Sequence, residues 1–107
     1  MKSTKRKRLE AEGWKVGSAQ DFLSLTDEEV EYIELQLSLA ALLAKRRKSL
    51  GYTQTEVANI IGSSQSRVAK MEAGDPSVSV DLIIRALLAL GANRKHVARA
   101  IGASPSA

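Results

Sequence analysis

The sequence predicts an all-α fold of five to six helices. Apolar residues make up 44% of the 107-residue chain, but aromatic residues make up only 4%. The core must therefore be built from aliphatic side chains, which suit packed helices better than a β-sandwich. Apolar residues recur at spacings of three and four, and the sequence shows neither an alternating strand pattern nor an internal repeat. The length suits one compact domain.

Composition excludes several classes of functional site. The chain has no cysteine and a single histidine, His96, which rules out disulfide scaffolds, thiolate zinc sites and multi-histidine metal sites. We therefore expect a protein that is not an enzyme and that needs no metal or other cofactor. The longest apolar run, residues 39–44, is too short to span a bilayer, and the basic N-terminus leads into no apolar signal core. We expect a soluble, cytoplasmic protein with no membrane partner.

Charge is distributed unevenly along a chain whose net charge is +4. Residues 1–8 carry +5, residues 9–36 carry −7 and residues 37–107 carry +6. A basic part that follows an acidic lead segment suggests two partners of opposite charge. Alternatively, the acidic residues only complement the dipole at the start of a helix. Both interpretations stay open.

The first third of the chain divides into two segments. We expect residues 1–12, which are polar and lack periodicity, to form a flexible basic tail. Residues 13–36 form an acidic N-terminal extension, which begins with a loop bracketed by glycines. Within this extension, Ser18 is expected to cap a short helix over residues 19–23.

A long helical run follows Thr26. Thr26 and Glu29 match a capping box, and no glycine or proline interrupts the run before Gly51. We expect a break near residues 36–38 to divide the run into two helices. Its two apolar stripes predict either burial on two sides, against the domain and a second subunit, or one wide stripe that faces a single core. The stripes are Val30, Ile33, Leu37, Ala40, Ala41 and Ala44, and Tyr32, Leu35, Leu39 and Leu42.

Two short helices come next, separated by a glycine turn. Thr53 and Glu56 form a second capping box for a helix over residues 53–61, and Gly62 supplies the left-handed residue that ends it. We expect Ser63 to cap the next helix, over residues 64–73. The residues expected to face inward are Val57, Ala58, Ile60 and Ile61 on the first helix and Val68 and Met71 on the second.

Two further helices complete the predicted fold. Gly74 ends the preceding helix, and Pro76 prevents its continuation. A short polar tail at residues 103–107 closes the chain. Ser79 is expected to cap a helix over residues 80–90, which ends at Gly91. Asn93 is expected to cap the last helix, over residues 94–101, which ends at Gly102.

The two short helices around Gly62 match a helix-turn-helix, within an expected DNA-binding domain of residues 37–102. A glutamine amide can pair with both groups on an adenine edge, a serine is short and tolerant, and a lysine can reach guanine or phosphate. Polar side chains on a helix surface are usually only solvated, but the motif around them favours DNA contact. The residues expected on the outward face of the second helix are Gln65, Ser66, Ala69 and Lys70.

A spaced pattern of residues runs through this half of the chain. It comprises Arg47, Gly51, residues 53–58, Gly62, Gln65, Ser66, Val68, Met71, Glu72 and Gly74. With this pattern, residues 37–91 resemble the Xre/Cro-type helix-turn-helix domain of phage repressors and many bacterial regulators. The resemblance implies a lambda repressor-like fold with an N-terminal helical extension. It also implies a sequence-specific transcriptional regulator with its second motif helix in the major groove. We expect this regulator to be a repressor that is associated with the bacterial nucleoid.

The resemblance assigns DNA contacts to individual residues. Gln54 should bind backbone phosphate, and Gln65 and Ser66 should read bases at the start of the recognition helix. Lys70 lies where the family makes a further base or phosphate contact. One module buries too little DNA surface for tight binding, so we expect a homodimer on double-stranded DNA. The full set of expected DNA-binding residues is Gln54, Ser64, Gln65, Ser66, Arg67 and Lys70.

Two other positions follow from the same resemblance. Arg47 and Glu72 match a partly buried ion pair that joins the first and third helices of the domain. Ala73 stands near the place where family members often carry an asparagine that binds phosphate, so that contact is not expected here.

The N-terminal part carries a second pattern, made by the acidic capped helix together with Trp14, Lys15, Val16, Gly17, Asp21, Phe22 and Leu23. This part is similar to short Xre regulators that act as HigA-like antitoxins. The likeness implies an alternative function, an antitoxin that neutralises a small basic ribonuclease toxin of the RelE/HigB kind and autoregulates its operon. Either the acidic segment supplies most of the toxin contact, or its aromatic residues fold back onto the core.

Overall fold

The computed structural model describes residues 23–103, and five α-helices without any strand make up most of that range. The all-α prediction is confirmed. The predicted basic tail, the glycine-bracketed loop, most of the short helix at residues 19–23 and most of the C-terminal tail lie outside the described residues. The helices are α1 (Asp27–Ser49), α2 (Gln54–Ile61), α3 (Gln65–Ala73), α4 (Val80–Ala89) and α5 (Arg94–Ile101).

The chain divides into two compact units, residues 1–32 and residues 33–107. In the described part of the first unit, the predicted capping box is present. The Glu29 amide donates to Thr26 Oγ1 at 3.1 Å, and the Thr26 amide donates to Glu29 Oε1 at 2.8 Å. These hydrogen bonds satisfy two amides at the start of α1. The amide of Thr26, followed by its hydroxyl, hydrogen-bonds to the Glu29 carboxylate and lowers the pKa of Glu29 below its ordinary value. Leu23, the last residue of the predicted short helix, lies in a turn instead.

Helix α1 continues without interruption from Asp27 to Ser49, so the predicted break at residues 36–38 is wrong. The two polar residues at the expected break, Gln36 and Ser38, have partners elsewhere in the second unit. The buried Gln36 amide donates to the carbonyl oxygens of Asp75 and Val78 at 3.1 and 2.7 Å. The Ser38 hydroxyl donates to the carbonyl of Ala103 at 3.1 Å. Because these hydrogen bonds offset the cost of burial, polar residues are accommodated inside the helix.

Both predicted stripes of α1 are partly buried and partly exposed. Leu39 of the second stripe is fully buried, together with Leu43, which belonged to neither stripe. In the first stripe, Ala40 is buried, but Ile33 and Leu37 remain 40% and 38% exposed. The core of the second unit therefore covers only part of the apolar surface of α1.

Helix α2 begins and ends as predicted. The Glu56 amide donates to Thr53 Oγ1 at 3.1 Å, the Thr53 amide donates to Glu56 Oε1 at 2.8 Å, and Gly62 has a φ of 68°. Ile60, predicted to face inward, is 46% exposed. The buried residues Val57 and Ala58 define the side of α2 that faces the core, and Ile60 lies about 110° from the middle of that side on a helix with 3.6 residues per turn.

The predicted cap of α3 is wrong by one residue. The Ser63 amide donates to the carbonyl of Ala58 at 2.8 Å, so Ser63 completes the end of α2. Ser64 is the residue that caps α3, and its hydroxyl accepts from the Arg67 amide at 3.2 Å. Gly74 ends α3 with a φ of 68°, as predicted.

The last two helices have the predicted caps. The Ser79 hydroxyl accepts from the Leu82 amide at 3.3 Å, and α4 ends one residue before the predicted end, where Leu90 is its C-cap. Helix α5 has the predicted bounds. Asn93 Oδ1 accepts from the His96 amide at 3.0 Å, and His96 Nδ1 accepts from the Asn93 amide at 3.1 Å.

The core of the second unit is aliphatic, and no aromatic side chain is buried in residues 23–103. Full burial of one large aliphatic side chain contributes about 1.5–3 kcal/mol. Tertiary burial of this kind stabilises α2 and α3, which are too short to be stable alone. None of the described helices is both long and apolar enough to cross a membrane. The largest fully buried side chains are Leu39, Leu43, Val57, Val68, Met71, Ile83 and Leu87.

Candidate functional site

Helices α2 and α3 contact each other across the turn at residues 62–64. Val68 and Met71 are buried in the core, as predicted, and their burial fixes which side of α3 faces solvent. Ala69, predicted to face outward, is half-buried because it lies one turn before the half-buried Glu72 on the same side of the helix. The exposed residues of α3 include Gln65, Ser66, Arg67 and Lys70.

Four side chains form a continuous series of hydrogen bonds from α1 to the exposed start of α3, called here the four-residue network. Gln65 Nε2 donates to Gln54 Oε1 at 2.7 Å, which joins the first turns of α3 and α2. Gln54 Nε2 donates to Glu72 Oε1 at 3.1 Å. Arg47 completes the network, because its Nε donates to Glu72 Oε2 at 2.6 Å and its Nη2 donates to Glu72 Oε1 at 3.0 Å.

The ion pair in this network lies mostly out of solvent. The side chains of Arg47 and Glu72 are only 14% and 9% exposed. Two parallel N–H···O bonds are the strongest arrangement of a guanidinium and a carboxylate, and they raise the pKa of Arg47 above its ordinary value. Arg47 Nη1 also donates to the carbonyl of Tyr52 at 3.0 Å. The pair therefore ties α1, the loop before α2 and α3 to one another.

The network orients the Gln65 amide and leaves part of it free. A glutamine side chain has two N–H donors and one carbonyl acceptor. The described contacts of Gln65 use one donor, so its other N–H and its Oε1 remain available. One donor and one acceptor are what a bidentate pairing with the N7 and N6 groups of adenine requires. At the exposed start of α3, Gln54 thus holds one N–H of the Gln65 amide, and the other N–H and Oε1 remain available to a base.

A polar groove, called here the serine groove, lies beside the start of α3. Its volume is about 320 Å³. The lining of the groove combines serine hydroxyl groups with two cationic side chains, those of Arg67 and Lys70. Neither cation makes a salt bridge within residues 23–103. Hydroxyls and cations are the groups that proteins use to bind phosphate oxygens. The groove is lined by Ser64, Ser66, Arg67, Lys70, Ser77 and Val78.

Two residues of the loop after α3 belong to this region and were not singled out from the sequence. The Ser77 amide donates to Asp75 Oδ1 at 2.8 Å, which forms a turn between them. Hydrogen bonds from the hydroxyl and amide of Ser77, with a smaller contribution from Lys70, lower the pKa of Asp75 below its ordinary value. The Asp-Pro-Ser spacing was the available signal, because aspartate favours a hydrogen bond to the amide two residues later.

Gln54 and Ser64, both predicted to bind DNA, also hold parts of the fold together. Gln54 is half-buried, and both ends of its amide take part in the four-residue network. Ser64 accepts from the Arg67 amide as the cap of α3, and its hydroxyl lies 3.3 Å from that of Ser66. The structure thus gives both residues a structural role in addition to the predicted contact with DNA. Residues 23–103 contain no group of three or more histidine and carboxylate side chains that could hold a metal ion.

The comparison with protein families matches the same part of the chain. A family model described as Helix-turn-helix matches residues 43–96, which are just over half of the chain. The match extends from α1 to the first turn of α5 and contains the whole four-residue network. It does not reach the residues before α1. No curated protein and no solved structure matches the chain.

Proposed function

We propose that this chain, which belongs to the Xre/Cro-type helix-turn-helix family of DNA-binding transcriptional regulators, is a sequence-specific repressor that reads its operator through α3. The proposal includes a homodimer that acts at the nucleoid in the bacterial cytoplasm. It assigns the chain no catalytic role. It also assigns base reading to Gln65 and Ser66.

The four-residue network is the observation that carries the proposal. A free glutamine side chain loses rotamer freedom when it pairs with a base, and that loss weakens binding. Here Gln54 restrains Gln65 before DNA arrives, and the Arg47–Glu72 pair restrains Gln54 in turn. A prearranged amide at the start of a recognition helix discriminates bases at low entropic cost. The same amides could serve only to join α2 to α3, and the experiments below separate the two roles.

The serine groove supports the second part of the proposal, which is contact with the DNA backbone. Arg67 and Lys70 line the groove, and residues 37–107 carry a net charge of +6. Cations that neutralise phosphates supply most of the sequence-independent affinity for DNA. Ser64 and Ser66 add short donors that can fix the register of α3 on the backbone.

A dimer follows from the small size of one module. A single domain of this size buries too little DNA for a tight complex, whereas two copies place two recognition helices in successive major grooves, about 34 Å apart. The operator is then an inverted repeat whose half-site centres lie about 10 bp apart.

Selection of binding sites from a library of random duplexes tests this function. We expect the protein to enrich an inverted repeat that contains a fixed adenine in each half-site, read by Gln65. Selection with Gln65→Ala should lose the preference at that adenine and keep the preferences at other positions. Arg85→Gln, which changes an exposed cation on α4, is the control and should enrich the original site. A wild-type protein that enriches no sequence would contradict the proposal.

A second candidate function rests on the exposed carboxylates at the start of α1. We infer that this surface binds a small basic ribonuclease toxin, as in HigA-like antitoxins, and that the complex autoregulates its operon. The support is charge: Glu28, Glu29 and Glu31 are all exposed within one and a half turns of α1. In the full chain, Glu28→Gln with Glu31→Gln should weaken binding to such a toxin encoded by an adjacent gene and leave operator binding intact. Asp81→Asn on α4 is the charge control, and equal toxin affinity of all variants would refute the inference.

A further inference from the structure

A cleft of about 300 Å³ lies between the C-terminal half of α1 and the helix α5. Its volume is at the lower end of the range for small-molecule sites. Leu42 of α1 and Ala100 of α5 give it apolar walls, which Ala103 extends. The cleft shares no residue with the serine groove or with the four-residue network, so the DNA-binding surface proposed above does not account for it.

The polar groups around this cleft are nearly all donors. Lys45 and Arg46 lie on the α1 side, and His96 and Arg99 lie on the α5 side. No aspartate or glutamate lines the cleft, and none of these four side chains makes a salt bridge within residues 23–103. Ammonium and guanidinium groups donate hydrogen bonds and cannot accept them. A ligand that satisfies these donors must therefore bring acceptors and negative charge.

Arg46 is held in place by the protein. Its Nε donates to the carbonyl of Leu90 at 2.9 Å, at the end of α4. Its Nη2 lies 3.0 Å from the position that a Cβ atom would occupy at Gly91, so the guanidinium packs closely against the backbone there. A cation that is fixed before the ligand arrives loses less rotamer entropy on binding than a free lysine or arginine.

His96 contributes a donor whose direction is set by the cap of α5. Its Nδ1 accepts from the Asn93 amide at 3.1 Å, so Nδ1 carries no proton in this arrangement. The proton of the neutral ring is then on Nε2, and Nε2 is the ring atom that can donate to a ligand. With its proton on Nε2, the neutral ring can accept from the Asn93 amide and donate to a ligand at the same time.

We propose that this cleft binds a small amphipathic carboxylate. The carboxylate oxygens accept from the side chains of Arg46, Arg99 and His96, with Lys45 adding positive charge. The apolar part of the ligand packs against Leu42 and the alanines of the cleft. A purely charged ligand would leave the apolar walls without a partner, and a purely apolar ligand would leave four donor side chains without an anion to bind. A carboxylate with a short hydrocarbon chain fits both.

Titration of the full-length protein with hexanoate tests the proposal, followed by ¹H–¹⁵N correlation spectra. We expect saturable shifts confined to the amides of α5 and of the last two turns of α1. Acetate supplies the charge alone and 1-hexanol supplies the apolar chain alone, and each should bind at least tenfold more weakly than hexanoate. Equal binding of acetate and hexanoate, or shifts spread over the whole domain, would overturn the proposal.

Two variants identify the residues responsible. Arg99→Gln removes one charged hydrogen bond to the ligand and should weaken hexanoate binding about tenfold. Lys45→Gln should weaken it less, because an ammonium acts as a point charge, whereas the planar guanidinium of Arg99 can donate to both carboxylate oxygens at once. Arg85→Gln makes the same change outside the cleft and should leave the affinity for hexanoate unchanged. If Arg99→Gln instead weakens only DNA binding, the cleft contacts DNA phosphate and the proposal is wrong.

Discussion

The substitution Glu72→Gln tests how strongly the four-residue network stabilises the domain. The carboxylate of Glu72 accepts three hydrogen bonds, two from Arg47 and one from Gln54. A glutamine at this position has one carbonyl oxygen, and its amide nitrogen places N–H groups against a guanidinium that can only donate. The variant therefore loses at least one hydrogen bond to a charged group and leaves the Arg47 charge without its partner.

The burial of the pair sets the magnitude. An exposed ion pair contributes less than about 1 kcal/mol, whereas removal of one partner from a buried pair costs about 3–5 kcal/mol. The side chains of Arg47 and Glu72 are 14% and 9% exposed, which places the pair nearer to the buried limit. Because the amide oxygen keeps one acceptor, we expect Glu72→Gln to lower the free energy of unfolding by about 2–4 kcal/mol.

Urea unfolding followed by the helical circular dichroism signal measures this change. The midpoint should fall without a change in slope, and the Tm should fall by about 10 °C or more. Asp81→Asn is the matched control, since it breaks the Asp81–Arg85 pair, whose side chains are 68% and 75% exposed. The control should cost less than about 1 kcal/mol. If Glu72→Gln is no more destabilising than Asp81→Asn, the network does not hold the motif together and our reasoning is refuted.

Three further predictions concern binding, a turn and acid stability. The logarithm of operator affinity should fall steeply with the logarithm of salt concentration, and Lys70→Gln should make that slope shallower by about 0.9 if Lys70 binds a phosphate; a wild-type slope near zero would contradict DNA binding. Gly62→Ala should lower the free energy of unfolding in urea by about 1–2 kcal/mol, because Gly62 has a φ of 68° and only backbone strain opposes a Cβ there. An unchanged free energy of unfolding would contradict this prediction. The lowered pKa of Asp75 implies stabilisation that is present above its ordinary value of 3.8 and lost as the pH falls below that value. Asp75→Asn should therefore be destabilising at neutral pH and lose less stability on acidification than the wild type, which acid titration of unfolding checks.

The helix ends were predictable because they depend on local chemistry. Thr26, Thr53, Ser79 and Asn93 cap their helices as the sequence predicted, since each side chain reaches an amide only three residues away. The left-handed conformation of Gly62 was predictable for the same reason. Ser63 shows the limit of such local rules. Ser63 and Ser64 are adjacent, and either could cap α3 by local rules alone. In the structure the Ser63 amide completes the end of α2 by donating to the carbonyl of Ala58, and Ser64 is the cap.

Features that depend on distant contacts were not predictable. Nothing near Gln36 in the sequence indicates that its amide reaches the loop after α3, 39 and 42 residues away, and so α1 was expected to break there. The exposure of Ile60 follows from the direction of the core, which an eight-residue helix does not reveal by itself.

The candidate site contains one feature that was predictable from the sequence and one that was not. A family resemblance indicated the pairing of Arg47 with Glu72, whereas the hydrogen bond that ties Gln65 to Gln54 depends on rotamers in two helices that only the folded chain brings together.

The affinity of Gln65→Ala for the selected operator and for random DNA tests the central claim, that α3 reads bases through a glutamine held in advance. We predict that the substitution costs about 1–3 kcal/mol on the operator and almost nothing on random DNA at the same salt concentration. Unfolding in urea should confirm that the variant is folded, since Gln65 is exposed. Equal losses on the operator and on random DNA would contradict the account and make Gln65 a contact to the DNA backbone.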